Sequence, residues 1–210
     1  MIPANRIAIL GANKRKETDM PKTVAILVGS LRRDSFSSKL ASAIARLAPS
    51  DLTFELVPIA DLPFYNEDLE TNEPPAAWSA FRNRIRTVDA VLFITPEYNR
   101  SVPAVLKNAV DVGSRPYGKN AFDGKPVAVV STSIGALGGF GANHHLRQSL
   151  SVLNMPMLPQ PEAYIGNTAA LFDEQGKLTN ESTAQFLRQF GEAFANWIRR
   201  NSATVATEKA

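Results

Sequence analysis

The chain has 210 residues, 44% hydrophobic and 20% charged, with a net charge of +3, a composition that describes one globular domain with a buried core and not a disordered chain. It contains no cysteine and two histidines, which excludes a disulfide framework, thiolate catalysis and cysteine-held zinc or iron–sulfur centres. The small, dispersed positive charge suits small anionic ligands better than nucleic acid; no stretch reaches the apolar length of a membrane span and no secretory leader is expected, so a cytoplasmic protein working on small molecules is the expectation.

Taken in order, residues 1–20 read as a flexible N-terminal extension: Arg6 to Ala12 resembles a short strand, but a charged run follows it, and Met20 stands where a shorter form of the chain would begin. Residues 21–200 are expected to form the domain, and residues 201–210 a frayed tail. The run Val24-Ala25-Ile26-Leu27-Val28 has no polar alternation, as in a strand covered on both faces. It stops at Gly29 and gives way to Ser30, Arg32, Ser35 and Ser37 ahead of a helix through Leu47. Hydroxyls, a guanidinium and the free N–H groups of a helix start suit an anion such as phosphate. An ordinary connection with a serine cap and solvated arginines fits that stretch equally well.

A second strand is expected at 52–57, followed by a long connection, 58–75, of the length that usually carries a function or an interface. Pro74-Pro75 opens a helix over 76–86 with Trp78, Phe81 and Ile85 on its core face. The strand 88–95 runs into Pro96, Glu97, Tyr98, Asn99, Arg100 and Ser101 before a helix from Pro103 to Val112. Polar and aromatic residues at the carboxyl end of a parallel strand stand where open α/β sheets bind ligands. A fourth strand, 126–132, leads into Ser133-Ile134-Gly135-Ala136-Leu137-Gly138-Gly139, whose glycines are expected to let backbone approach a flat ligand. His144 occupies the position where a dinucleotide-binding fingerprint needs its third glycine, and no P-loop pattern occurs. Adjacent histidines at 144 and 145 face different sides of a helix over 143–153, so no metal site is expected. A fifth strand near 157–165, interrupted by Pro159 and Pro161, belongs at an edge or is split. Phe186, Leu187, Phe190, Phe194, Trp197 and Ile198 form the buried face of a last helix over 180–200, with Asn180 as its cap. Five βα units make an α/β fold with ligand-type loops after the first, third and fourth strands.

Gly29-Ser30-Leu31-Arg32 with Ser35-Phe36-Ser37, together with Pro96-Glu97-Tyr98-Asn99-Arg100-Ser101-Val102-Pro103 and the run on to Asp111, resembles the NADPH-dependent FMN reductase family, in particular its quinone and chromate reductases. The resemblance covers about residues 22–197. It implies a flavodoxin-like three-layer sandwich with a five-stranded parallel sheet in the order 2-1-3-4-5 and helices on both faces. It also implies bound FMN, NADPH or NADH as reductant, and hydride transfer onward to a quinone, with chromate, azo dyes or free flavin as further acceptors. Ser30, Arg32, Ser35 and Ser37, in a motif that includes Phe36, are thereby given to the FMN phosphate. Pro96, Glu97, Tyr98, Asn99 and Ser101 are given to the isoalloxazine and ribityl chain, and Ser133, Gly135, Gly138 and Gly139 to the other side of the ring. No residue is given an acid–base role, since the cofactor carries the chemistry. Family members are homodimers or homotetramers. Two positions depart from the family pattern: Ser37, often Asn, and Val112, usually Trp. A flavodoxin-type electron carrier without nicotinamide turnover is the alternative.

Overall fold

The computed structural model describes residues 20–207, with side chains through residue 202; of the expected extension, residues 1–19 lie outside the described residues. Strands β1 (Lys22–Val28), β2 (Leu52–Leu56), β3 (Ala90–Pro96), β4 (Val127–Thr132) and β5 (Ala163–Ile165) form one sheet. Its order is β2-β1-β3-β4-β5 and every pairing is parallel, as the flavodoxin-like expectation has it.

Helices α1 (Phe36–Leu47), α2 (Ala76–Thr87), α3 (Ala104–Gly113), α4 (Phe140–Ser151) and α5 (Glu181–Thr207) cover both faces of the sheet. The division follows from the pleat: along β1, Val24, Ile26 and Val28 join α1 and α5 in one apolar cluster. Ala25 and Leu27 join α2, α3 and α4 in the other. This two-sided burial is why the strand shows no alternation. Val28 pairs with Ile94, Pro96 with Thr132 and Thr132 with Ile165. In a parallel sheet that register brings the chain exits of β1, β3, β4 and β5 to one edge.

Two helix ends differ from the sequence expectation, while the fifth strand is split as expected. β5 keeps three residues; Met157 makes an isolated parallel bridge to Val127, so the fifth strand is split, with the two prolines between its parts. α4 starts at Phe140, not Asn143, because Gly139 at φ 76 holds the left-handed N-cap position. α5 continues through Thr207, past Arg200 and into residues expected to be a tail; Asn180 Oδ1 accepts from Thr183 N at 2.9 Å and caps its start, as expected.

The long connection 58–75 is tied down. The buried Asn108 amide of α3 accepts from Tyr65 N at 2.8 Å and donates to the Leu62 and Pro63 carbonyls, each at 3.1 Å. Trp78 Nε1 also donates to Pro63 O, at 2.9 Å. The Arg82 guanidinium grips both Glu70 carboxylate oxygens at 2.8 and 2.7 Å while its Nε donates to Val112 O. A segment whose regular structure is limited to a 3-10 turn at Glu67–Leu69 thereby has polar groups satisfied from α2 and α3, which holds it against the apolar cluster. Replacing Asn108 by Ala strands those groups and is expected to lower unfolding free energy by about 2 kcal/mol, read from the denaturant midpoint; an unchanged midpoint contradicts the tie.

At the β5 edge, Tyr164 meets α4: His144 Nε2 lies 2.9 Å from its hydroxyl and the Phe140 ring 5.3 Å away. Burial, aided by the Glu162 carboxylate, pushes the Tyr164 phenol up to about 12 from its ordinary 10.0. The folded protein keeps this proton where the unfolded chain has lost it, so the contribution is whole below pH 10 and is lost as pH rises toward about 12. Alkaline melts are expected to show that decline, and Tyr164→Phe is expected to flatten it.

Candidate functional site

The loops that leave β1, β3 and β4 meet at the carboxyl edge and enclose a cleft. Ser30, Arg32, Ser35, Phe36, Ser37, Pro96, Glu97, Tyr98, Thr132, Ser133, Ile134 and Thr168 line it.

The first loop turns at Gly29, whose N–H donates to Ile94 O at 2.8 Å. A Cβ there would stand 3.0 Å from Leu106 Cδ2 and 3.1 Å from Pro96 Cδ. Glycine is needed for close approach to the neighbouring loop, not for a special backbone angle. Ser35 is the N-cap of α1, its hydroxyl oxygen accepting from Ser38 N at 3.1 Å. Ser37 is 2% exposed, and its hydroxyl has no hydrogen-bond partner among the described residues. Arg32 is exposed and has no ion pair among the described residues. The nearby acid, Asp34, is held by Lys39 at 2.8 Å. This end of the cleft is therefore a set of donors: hydroxyls, one unpaired guanidinium and the leading amides of α1.

The second loop is a tight reversal. Tyr98 and Ser101 exchange backbone hydrogen bonds at 3.0 and 2.9 Å around Asn99 at φ 51 and Arg100 at φ 64. Two successive positive φ values make this a type I′ turn. The Glu97 carboxylate is used twice: Oε1 accepts from Arg100 Nη1 at 3.0 Å and Oε2 from Ala142 N, in the first turn of α4, also at 3.0 Å. Ser101 Oγ lies 3.0 Å from His145 Nδ1 on α4. Tyr98, 51% exposed, is left at the mouth of the cleft.

The third loop is shaped by its glycines, but against protein. A Cβ on Gly138 would fall 2.6 Å from the Tyr164 carbonyl carbon, and Gly139 packs on Ser131 and Thr132. Among these glycines Gly135 alone has open space beside it, where a Cβ would meet only Ser133 Oγ, at 3.7 Å. Lacking side chains, Gly138 and Gly139 let the loop lie flat on β4 and β5. Buried Thr168 closes the base. Its hydroxyl accepts from Thr132 Oγ1 at 3.1 Å and donates to Ser133 O at 2.6 Å.

Of the residues expected from the sequence, the cleft gathers Ser30, Arg32, Ser35, Phe36, Ser37, Pro96, Glu97, Tyr98 and Ser133. Asn99, Ser101, Gly135, Gly138 and Gly139 stand outside its lining. Thr132, Ile134 and Thr168 are additions. Thr132 ends a strand whose exit was singled out, and Thr168 follows β5 at the same edge, so extending the carboxyl-edge rule to the last strand finds it. Val112 is fully buried in the α3 core; its departure from the family pattern touches packing and not the cleft wall.

The donor set fits a phosphate, and Pro96, Tyr98 and Ile134 add apolar surface to the same lining. Among the described residues no group of acids and histidines is placed to hold a metal, and no helix is long and apolar enough to cross a membrane.

The family model for NADPH-dependent FMN reductase matches residues 22–170. A quinone reductase of Pseudomonas putida is 59% identical over 86% of this chain and 97% of its own length. A 2-hydroxy-1,4-benzoquinone reductase of a Burkholderia species is 44% identical over 86% of this chain and 98% of its own. Among solved structures, FerB, a flavoenzyme NAD(P)H:(acceptor) oxidoreductase from Paracoccus denitrificans, superposes with a TM-score of 0.81 at 46% identity, covering 86% of this chain and 98% of that one. By the family match over residues 22–170 and the identity to these relatives, the chain belongs to the NADPH-dependent FMN reductase family.

Proposed function

We propose that this FMN-dependent NAD(P)H oxidoreductase holds its flavin in the three-loop cleft and passes the reducing equivalents to a quinone. The observation that carries the assignment is the cleft's mixed lining: Arg32 and the hydroxyls of Ser30, Ser35 and Ser37 from the β1 exit, with Pro96, Tyr98 and Ile134 from the β3 and β4 exits.

Arg32 and the hydroxyls of Ser30, Ser35 and Ser37 are assigned to the phosphate, with the N-terminal amides of α1 behind them. Ser35 spends one acceptor site on its cap and keeps its proton for Ser38 or the ligand. Pro96, Tyr98 and Ile134 are assigned to the ring. Bound there, FMN supplies the two-electron chemistry that links a nicotinamide to the acceptor. The chain's own part is binding and orientation. Thr168 and Thr132 hold the Ser133 loop in place by side-chain hydrogen bonds, which presets one wall before any ligand arrives. The half-exposed Tyr98 leaves the mouth open to a planar acceptor, in keeping with relatives named as quinone reductases. A carrier of flavodoxin type is not favoured, because those relatives are named as enzymes of turnover. A homodimer or homotetramer in the cytoplasm completes the proposal; sizing by light scattering tests the assembly.

Purified protein is expected to bind FMN and to oxidise NADPH or NADH when a benzoquinone is added. Protein that binds no FMN, or oxidises no nicotinamide with any quinone, overturns the proposal; parallel assays with chromate, an azo dye and free FMN rank the acceptors. Arg32→Ala is expected to raise the FMN Kd roughly tenfold to a hundredfold, the worth of a charge-assisted phosphate contact, with the thermal midpoint unchanged because the side chain is exposed and unpaired. Fluorescence titration of FMN reads this, and an unchanged Kd removes Arg32 from the phosphate.

A further inference from the structure

Glu97 lies in the second loop, and both of its carboxylate oxygens are hydrogen-bonded within the protein: one accepts from Arg100 and the other from the Ala142 amide of α4, each at 3.0 Å. The side chain is 11% exposed. Ala142 is the third residue of α4, so the contact is a helix cap delivered from 45 residues away, carboxylate against the positive end of the helix. Beside it, Gly141 makes a second, steric contact with the same loop. A Cβ on Gly141 would stand 2.8 Å from Arg100 O and 3.0 Å from Glu97 Oε2. Alanine at a helical position is ordinarily favoured over glycine by about 1 kcal/mol, so this glycine marks where loop and helix must touch.

We infer that Glu97 is a positioning residue: with Gly141 it clamps the β3 loop to the start of α4 and so sets the spacing of the two cleft walls that the proposed function assigns to the flavin ring. The β3 loop carries Tyr98, and α4 continues directly from the Ser133–Gly139 loop. The clamp therefore joins the exits of β3 and β4, beside the Ser101–His145 contact to the same helix. The inference rests on the FMN reading of the cleft.

The test compares Glu97→Ala, Glu97→Gln and Gly141→Ala by FMN titration of the full chain and by hydrogen exchange of the Ala142 amide in flavin-free protein. Glu97→Ala is expected to speed Ala142 exchange and to weaken FMN about tenfold, the scale of a lost cap. Glu97→Gln, whose amide oxygen still accepts from Ala142, is expected to recover most of both. Gly141→Ala is expected to weaken FMN similarly, and the double variant Glu97→Ala/Gly141→Ala to cost less than the two effects combined, since both break one contact. Circular dichroism on each variant confirms that the fold is kept. Wild-type protein that binds no FMN overturns the cofactor reading and this inference together. Normal FMN affinity in Glu97→Ala despite faster Ala142 exchange overturns the inference alone, as does a Glu97→Gln variant as impaired as Glu97→Ala.

Discussion

At the carboxyl edge of the sheet, backbone rests on backbone. A methyl group at Gly138 would collide with the Tyr164 carbonyl, at Gly141 with Arg100 O, and at Gly166 with Ala136 O, the last at 2.5 Å; Gly29 has Leu106 and Pro96 at the limit of contact. At Gly138, Gly141 and Gly166, where no side chain intervenes, these loops have few alternative ways to pack, since each position is set by backbone atoms that cannot rotate away, whereas Gly29 meets the Leu106 and Pro96 side chains. The cleft inherits its shape from that constraint. Its base is added by Thr168, which is completely buried and hydrogen-bonded to two residues of the neighbouring β4 exit. A cleft built this way gives up little ordering entropy when a ligand enters, because the ordering was done in folding.

The electrostatic layout follows from where the acids are used. Asp34 is occupied by Lys39 and Glu97 by Arg100 and the α4 cap. That leaves Arg32 as an uncompensated cation at the proposed phosphate end. In solvent a single exposed charge pair is worth little, so Arg32 alone cannot hold an anion. Its neighbours change the balance: Ser37 is nearly buried with an unused hydroxyl, and the α1 amides point the same way. The proposed phosphate site thus draws on several modest donors from one short loop and on no deeply buried charge, whose desolvation would oppose folding.

The parallel βα architecture, the helix faces and the three ligand-bearing exits were legible in the sequence, because two-sided burial leaves unbroken apolar strands and parallel βα units put their exits on one edge; the strand order came with the family resemblance. The particulars of the third loop were not legible. Glycines after a strand look alike whether they admit a ligand or a neighbouring backbone, and the partners of Gly138 lie in β5, far along the chain. Glu97 was legible as a residue of the second loop but not as a helix cap, since its partner amide is 45 positions away. Pro159 and Pro161 announced the split fifth strand; the start of α4 at Phe140 depended on the left-handed Gly139, which no periodicity reveals.

The two departures from the family pattern separate on burial. Val112 sits in the core of α3 and its carbonyl receives Arg82 Nε, the same guanidinium that grips Glu70 in the long connection. A smaller side chain there alters how α3 meets α2 and how the 58–75 segment is anchored, and reaches the cleft only through packing. Ser37 lies in the cleft lining beside the α1 cap. A serine hydroxyl is shorter than an asparagine amide and can donate one proton where the amide can donate two. Its reach must therefore be made up by the loop, and Ser30, Ser35 and the free guanidinium of Arg32 are the groups within that loop able to do so. One departure thus lies in the core and the other in the cleft lining, a distinction made by position in the fold and not by the size of the chemical change.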